Sequence, residues 1–251
     1  MRGEEDQAQV MRRLDELASR TSRTGMACFT SFLSPAEMQW AQASANRHRV
    51  NVTFQGGYED AERCTACFWE DEAPDVFPIT ALRLTWPHQS APGHRDVLGS
   101  VMGLGIKRSC TGDIVLMEEC GYLFCERQMA GHIADSLVSA GRIRLQVEPM
   151  EECPQLEPPK GVEMHDTVHS MRLDAVVAAG FNLSRGDAAD LIAAGHVKLR
   201  HLPNEHTDAR VGEGDVISVR GHGRLVVEEI GSPTKKGRLP LRLIRYGTNR
   251  K

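Results

Sequence analysis

Residues 172–199 read RLDAVVAAGFNLSRGDAADLIAAGHVKL, and the parsing of this run decides the fold of the C-terminal third. Leu173, Val176 and Val177 recur at helical spacing, with Gly180 expected to end the helix. Ser184 then serves as an N-cap with Asp187 three residues on, Leu191 and Ile192 turn inward, and Gly195 stops a second helix before a strand. Downstream, residues 214–230 read GDVISVRGHGRLVVEEI: two apolar runs around Arg220, Gly221, His222, Gly223 and Arg224. A hairpin needs only the glycines, which tolerate positive φ at its bend. The cations are surplus to folding.

Their surplus fits the charge distribution. The 251 residues carry a net charge of −4, yet residues 166–251 hold 14 Lys and Arg against 10 Asp and Glu. A local positive end on an acidic chain is an electrostatic footprint for nucleic acid. Arg185 adds to it, because a cation in the first turn of a helix opposes the helix dipole unless an anion docks there.

The length suits two or three domains. An amphipathic helix with Val10, Met11, Leu14, Leu17 and Ala18 on one face opens the chain, and Ser34, Pro35 and Glu37 start a second helix through a capping box. Strands follow at "VNVTFQ" and toward Trp69, and an acidic break at "EDEAPDVFP" closes the unit. The middle segment reads as the strand "ITALRLTW", a helix through "HRDVLGSVMGLG", strands "DIVLMEE" and "YLFCE" with Cys120 and Gly121 at the bend, a helix stopped by Gly141, and the strand "RIRLQVE". That order, βαββαβ, is the ferredoxin-like pattern of RNA-recognition modules. Tyr122 and Phe124 share a strand face there, with core packing favoured over base stacking, and Lys107 and Arg108 lie past a helix end where they could touch phosphate or complement the dipole. The expected class is α+β: an N-terminal α/β domain over 1–75, a ferredoxin-like domain over 76–149, a linker over 150–165, and a small RNA-binding domain of two helices and strands over 166–251.

Those C-terminal residues resemble the RNA-binding domain named for the fourth protein of the small ribosomal subunit. The Arg-Leu-Asp start, the Ser-Arg pair, Gly-His-Val and Gly-Asp-x-Ile-x-Val all occur in order. In that family both helices and the hairpin turn grip structured RNA, which implies that Arg172, Ser184, Arg185, Lys198, Arg220, Gly221 and Arg224 converge on one RNA-binding surface, with Lys235 and Lys236 of the basic ending added. Two departures stand out: "RHLPNEHTD" replaces the usual Asn-Gly bend, and Asp187 stands where a basic residue is common. Over most of its length the chain is similar to the YlmH family, on "FLSPAE", "GGYEDAER", "HRDVLGSVMGLGIKRSCTGDI" and "TKKGRLPLRLIRY". The last of these, with "AERC", looks most like the cyanobacterial and plastid branch labelled photosystem II-associated. The resemblance implies binding to rRNA and tRNA on the ribosome, at the large subunit with peptidyl-tRNA in stalled-ribosome quality control. It further implies a monomer in the chloroplast stroma after loss of a presequence, or otherwise in a bacterial cytoplasm.

The rival is an RNA-modifying enzyme, a pseudouridine synthase or methyltransferase that uses this domain to hold substrate RNA. Each would need its own catalytic unit, and neither a methyl-donor loop nor a Ser/His or Cys/His nucleophile motif is present. Asp174 reads as an orienting carboxylate. "GLGIK" at 103–107 follows a helix rather than a strand, so it is a helix-ending turn. Cys64 and Cys67 form a lone CxxC without the second pair that zinc wants. Seven cysteines suit free thiols in a reducing compartment. The expectation is a binding protein without catalysis, cofactor, metal or membrane span.

Overall fold

Ser34 shows local chemistry setting the frame. Its hydroxyl accepts the Glu37 N–H at 3.4 Å and the Glu37 carboxylate accepts the Ser34 N–H at 2.6 Å, closing the capping box with Pro35 in the first turn. The structure is a computed structural model describing residues 2–59, 61–87, 91–156 and 161–247, with side chains from residue 7. Linker residues 157–160 and the basic Arg250 and Lys251 lie outside the described residues. The chain divides into two units, Met1–Pro158 and Pro159–Lys251.

The first unit runs α1 (Arg2–Thr24), β1 (Cys28–Leu33), α2 (Pro35–His48), β2 (Asn51–Gln55), β3 (Cys64–Trp69), β4 (Ile79–Thr85), α3 (His94–Gly103), β5 (Thr111–Leu116), β6 (Cys120–Glu126), α4 (Ala130–Ser136), β7 (Ser139–Ala140), β8 (Ile143–Arg144) and β9 (Gln146–Pro149). The first three strands form an antiparallel sheet in the order β1-β3-β2. On one face, Ala66 and Phe68 pack against Leu14, Leu17 and Ala18 of α1 and Ala41 and Ala45 of α2. Met11, expected on that stripe, is 41% exposed because it falls at the stripe's edge. The second sheet, β5-β6-β4-β9, has the expected βαββαβ connectivity. Its Leu82, Leu84 and Leu123 pack on Val97 and Val101 of α3 and Ile133 of α4.

The two sheets meet face to face. Phe32 and Cys67 from the first and Ile79, Ala81 and Phe124 from the second form one buried cluster. Each buried phenylalanine contributes about 1.5–3 kcal/mol of burial free energy. The "GGYEDAER" segment closes this seam. The Tyr58 ring stacks on Phe124 with centroids 4.8 Å apart. Asp113 accepts hydrogen bonds from the Tyr58 hydroxyl at 2.8 Å, the Glu62 N–H at 2.6 Å and the Arg63 N–H at 3.2 Å. Gly57 sits at φ +99°, and a Cβ there would lie 2.5 Å from the Phe124 ring, so both backbone and space require glycine.

Several boundaries differ from the sequence reading. The β5–β6 bend spans 117–119, closed by the Met117 N–H to the Cys120 carbonyl at 2.8 Å, so Cys120 and Gly121 belong to β6. The last helix stops at Ser136, and Gly141, at φ +57°, turns the β7–β8 hairpin instead. "RIRLQVE" is interrupted because Leu145 turns into the core and donates its N–H to Val138 at 2.9 Å. Arg108 is anchored rather than free: its guanidinium donates to the Thr111 carbonyl at 2.7 Å and the Gly112 carbonyl at 2.9 Å. Lys107 is exposed.

The second unit runs β10 (Val162–Val168), α5 (Leu173–Phe181), α6 (Arg185–Ala193), β11 (Val197–Leu199), β12 (Leu202–Pro203), β13 (Val216–Val219), β14 (Gly223–Ile230) and β15 (Leu239–Tyr246). The sheet order is β10-β15-β14-β13-β11-β12, antiparallel throughout. Residues 162–165 were expected in a linker and are instead part of edge strand β10, which pairs along β15. Both helices pack on one sheet face, joining Val176, Val177 and Ile192 to Val197, Ile217, Leu225 and Leu243. Gly180 does not end α5; Asn182 does, at φ 55°. Gly180 serves close approach, since a Cβ there would lie 2.2 Å from Leu225 Cδ2. The β11–β12 turn keeps positive φ at both central positions, Arg200 at 51° and His201 at 68°, without the Asn-Gly pair such turns favour.

Candidate nucleic-acid interface

The helix starts bring two arginines to one carboxylate. Arg172 caps α5 and donates Nε and Nη2 to Asp174 at 3.2 Å each. Arg185, the first residue of α6, donates Nη2 to the same carboxylate at 2.9 Å. The Asp174 side chain is 9% exposed while Arg172 and Arg185 are 42% and 60% exposed, so the cluster buries its anion and shows its cations. Arg185 therefore has a partner within the fold that offsets its unfavourable place on the helix dipole.

Burial alone would push the Asp174 carboxyl up. Hydrogen bonds from Arg172 and Arg185, with their charges, more than reverse that and hold it below the ordinary 3.8. A folded value below the unfolded one adds stability that is present above the unfolded value and lost as pH falls through the folded one. Thermal melts of the second unit below pH 3.8 are expected to show a shallower acid loss for Asp174→Asn than for the wild type.

The other expected residues fall elsewhere. Ser184 caps α6: its hydroxyl accepts the Asp187 N–H at 3.1 Å and donates to the Asp187 carboxylate at 2.7 Å. Asp187 thus bonds the serine hydroxyl, not the backbone N–H that a full capping box would engage. Lys198 pairs across the ladder with Ser218, Ser218 with Arg224, and Arg224 with Tyr246, forming one row across four strands. The flanking Val197, Leu199 and Leu225 are buried under the helices. By strand alternation the row faces away from them. The Arg224 guanidinium lies 4.6 Å from the Tyr246 ring centroid, a cation–π contact. The expected single surface is thus two groups, Arg172 with Arg185 among the helices and Lys198 with Arg224 on the opposite sheet face.

The β13–β14 turn leads directly into Arg224. Gly221 and Gly223 take φ 85° and 114°, as the hairpin requires, and Arg220 is exposed. His222 sits edge-on to Phe181 with ring centroids 6.0 Å apart, which places the turn by the α5–α6 junction. Lys235 and Lys236 are exposed in the next turn, at the other end of β14. At about 3.4 Å per residue, the six steps from Arg224 to Ile230 put that end of β14 roughly 20 Å away.

Sequence reasoning missed a second buried carboxylate. Asp215 takes a bidentate pair from Arg200 at 2.6 and 2.7 Å and the Gly212 N–H at 2.7 Å, which fixes the strained β11–β12 turn. The signal was the GD before the strand, read only as a family mark. Tyr246 was missed because its row depends on register. In the middle domain Phe124 is fully buried in the seam with Tyr122 packed against the same cluster, the core packing that was favoured over stacking. Burial pushes the Cys64 and Cys67 thiols up to about 11, against metal-binding thiolate. All seven cysteines are free, and among the described residues no helix is long and apolar enough to cross a membrane.

Comparison with known proteins adds the family. Residues 5–73 match "YlmH, N-terminal", residues 74–153 "Putative RNA-binding domain in YlmH", and residues 171–217 "S4 domain". Over 213 residues, 82% of each chain, the sequence is 34% identical to "Ribosome-associated protein quality control protein P2" of Bacillus subtilis (strain 168). The chain belongs to the YlmH family. A solved YlmH structure, "Cell division protein ylmH from Streptococcus pneumoniae", covers 58% of this chain and 91% of its own at a TM-score of 0.50 and 21% identity, a likeness of fold. Within this YlmH-family chain the S4 match spans both helix starts and Lys198 and ends inside β13, one residue before Ser218.

Proposed function

We propose that this YlmH-family protein grips structured rRNA, and tRNA with it, on the ribosome, at the large subunit carrying peptidyl-tRNA in stalled-ribosome quality control, and acts there by binding rather than catalysis. The observation that carries the reading is the pair Arg172 and Arg185, exposed above a buried carboxylate at the start of two adjoining helices. Guanidinium groups fixed in this way suit bidentate contact with phosphate. The family's RNA-binding domains and the printed name of the Bacillus subtilis relative support the ribosomal partner. The engagement of Asp174 by both arginines supports an orienting role over that of a nucleophile. The resemblance at "KKGRLPLRLIRY" supports a plastid location, which fractionation of source cells would check.

The test is co-sedimentation of the full chain with purified ribosomes across a salt series. Neutralising phosphate contacts releases counterions, so log affinity falls linearly with log salt, by somewhat less than one unit of slope per contact. Arg172→Gln and Arg185→Gln are each expected to weaken binding about tenfold and to reduce the slope by roughly one. Unchanged sedimentation and slope in the double variant would remove this interface.

A further inference from the structure

We infer that Asp174 is a positioning residue for the RNA interface, a buried carboxylate that strengthens the binding of a polyanion by holding Arg172 and Arg185 in place. The inference rests on the proposed function and adds a sign that charge alone would reverse. Asp174 lies in the first turn of α5, and its backbone N–H is itself tied to the Thr207 carbonyl at 3.0 Å. Its position is therefore set by the backbone as well as by helix packing. From that fixed point it takes two hydrogen bonds from Arg172, two residues before it, and one from Arg185, eleven residues after it.

Each arginine uses only part of its donor set on Asp174. A guanidinium carries five N–H donors. Arg172 commits Nε and one terminal nitrogen, and Arg185 commits one terminal nitrogen, so both retain donors for a second anion. Free arginine side chains lose considerable rotamer entropy when they bind. Here the buried carboxylate restricts that freedom before any ligand arrives, which is preorganisation of the kind that raises affinity without new contacts. The three hydrogen-bonded side chains carry two cations to one anion, with Asp208 acting on Arg172 by charge alone, and Asp174 lies buried beneath arginines that stay exposed.

Two accounts of Asp174 now predict opposite results. If only summed charge mattered, Asp174→Asn would remove a negative group beside the phosphates and tighten binding. If Asp174 positions the arginines, the same change loosens both side chains and weakens binding. The experiment is a thermodynamic cycle on the full chain with purified ribosomes: wild type, Asp174→Asn, Arg172→Gln/Arg185→Gln, and all three together, each over the salt series. The expected result is at least a tenfold loss for Asp174→Asn, a reduced salt slope, and no further loss when it is added to the double arginine variant. The Nε–Hε resonances of Arg172 and Arg185, distinct in the wild type, are expected to merge with the mobile arginines in Asp174→Asn. Should Asp174→Asn fail to fold by circular dichroism, Asp174→Glu takes its place in the cycle, keeping the charge but displacing it by one methylene, with a loss still expected.

Tighter or unchanged binding by the folded Asp174 variant overturns the inference. So does an equal loss from Asp174→Asn when both arginines are already gone, since that would mark a general structural role. If the double arginine variant alone binds as the wild type does, the interface reading fails instead, and the two failures are distinct.

Discussion

Replacing Phe124 by alanine is expected to destabilise the first unit by about 3–5 kcal/mol. Phe124 is fully buried where the two sheets of that unit meet, with Tyr58 stacked on it at 4.8 Å. The space left behind cannot close easily. A Cβ on Gly57 would lie 2.5 Å from the ring, and one on Gly112 would lie 3.1 Å from Phe124 Cβ, so backbone from both domains is fitted around this side chain. Urea unfolding of the full chain, followed by tryptophan fluorescence from Trp40, Trp69 and Trp86, all in the first unit, measures the loss. A change under about 1 kcal/mol would mean that the seam relaxes far more freely than close-packed interiors do.

Gly180→Val is the second large effect, in the other unit. The glycine lets α5 approach β14, and its missing Cβ would lie 2.2 Å from Leu225 Cδ2 and 2.8 Å from Cδ1. Leu225 is fully buried, so it has no open space into which to swing. Overpacking of this kind costs about 1–3 kcal/mol, and a branched residue belongs at or above the upper end. Gly180→Ala is expected to lose less, because alanine recovers up to about 1 kcal/mol of helix propensity. Adding Leu225→Ala to Gly180→Val should restore part of the loss. Strictly additive effects in chemical denaturation would show that the two positions do not press on each other.

The features legible in the sequence were those whose causes are local. Ser34, Pro35 and Glu37 are neighbours, and their capping box formed as read. The βαββαβ order of the middle segment was legible because each strand and helix carries its own periodicity. The errors arose where a distant partner decides. Edge strand β10 has only Val168 fully buried, so nothing in its composition marks a strand, and its partner β15 begins more than seventy residues later. Gly141 has the same positive φ in a helix end or a hairpin, and only the pairing of Ser139 with Arg144 selects the hairpin. Gly180 looked like a stop because its real constraint, Leu225, is remote in sequence.

The interface was legible in composition and not in arrangement. Family resemblance pointed to Arg172 and Arg185, and the structure brings them together at Asp174. It also pointed to Lys198 and Arg224, but strand alternation turns both away from the helices. That alternation was visible in "HVKL" and "GRLVV"; what was missing was which side the helices would cover. Tyr246 could not be found without register, since its partner comes from another strand; the GD marking Asp215 was legible, but its partner Arg200, fifteen residues earlier in a turn, was not.

Strand β10 also governs how the second unit would respond to force. Val162 pairs with Arg245 and Val168 with Leu239, so the chain enters the sheet beside the point where its last strand leaves it. A pull between those adjacent points would break the ladder one rung at a time, like a zipper. A pull on residue 162 against Leu239, at the far end of β15, would load the same rungs together, in shear, and meet much greater resistance. The strand thus makes this unit mechanically soft in one direction and stiff in another.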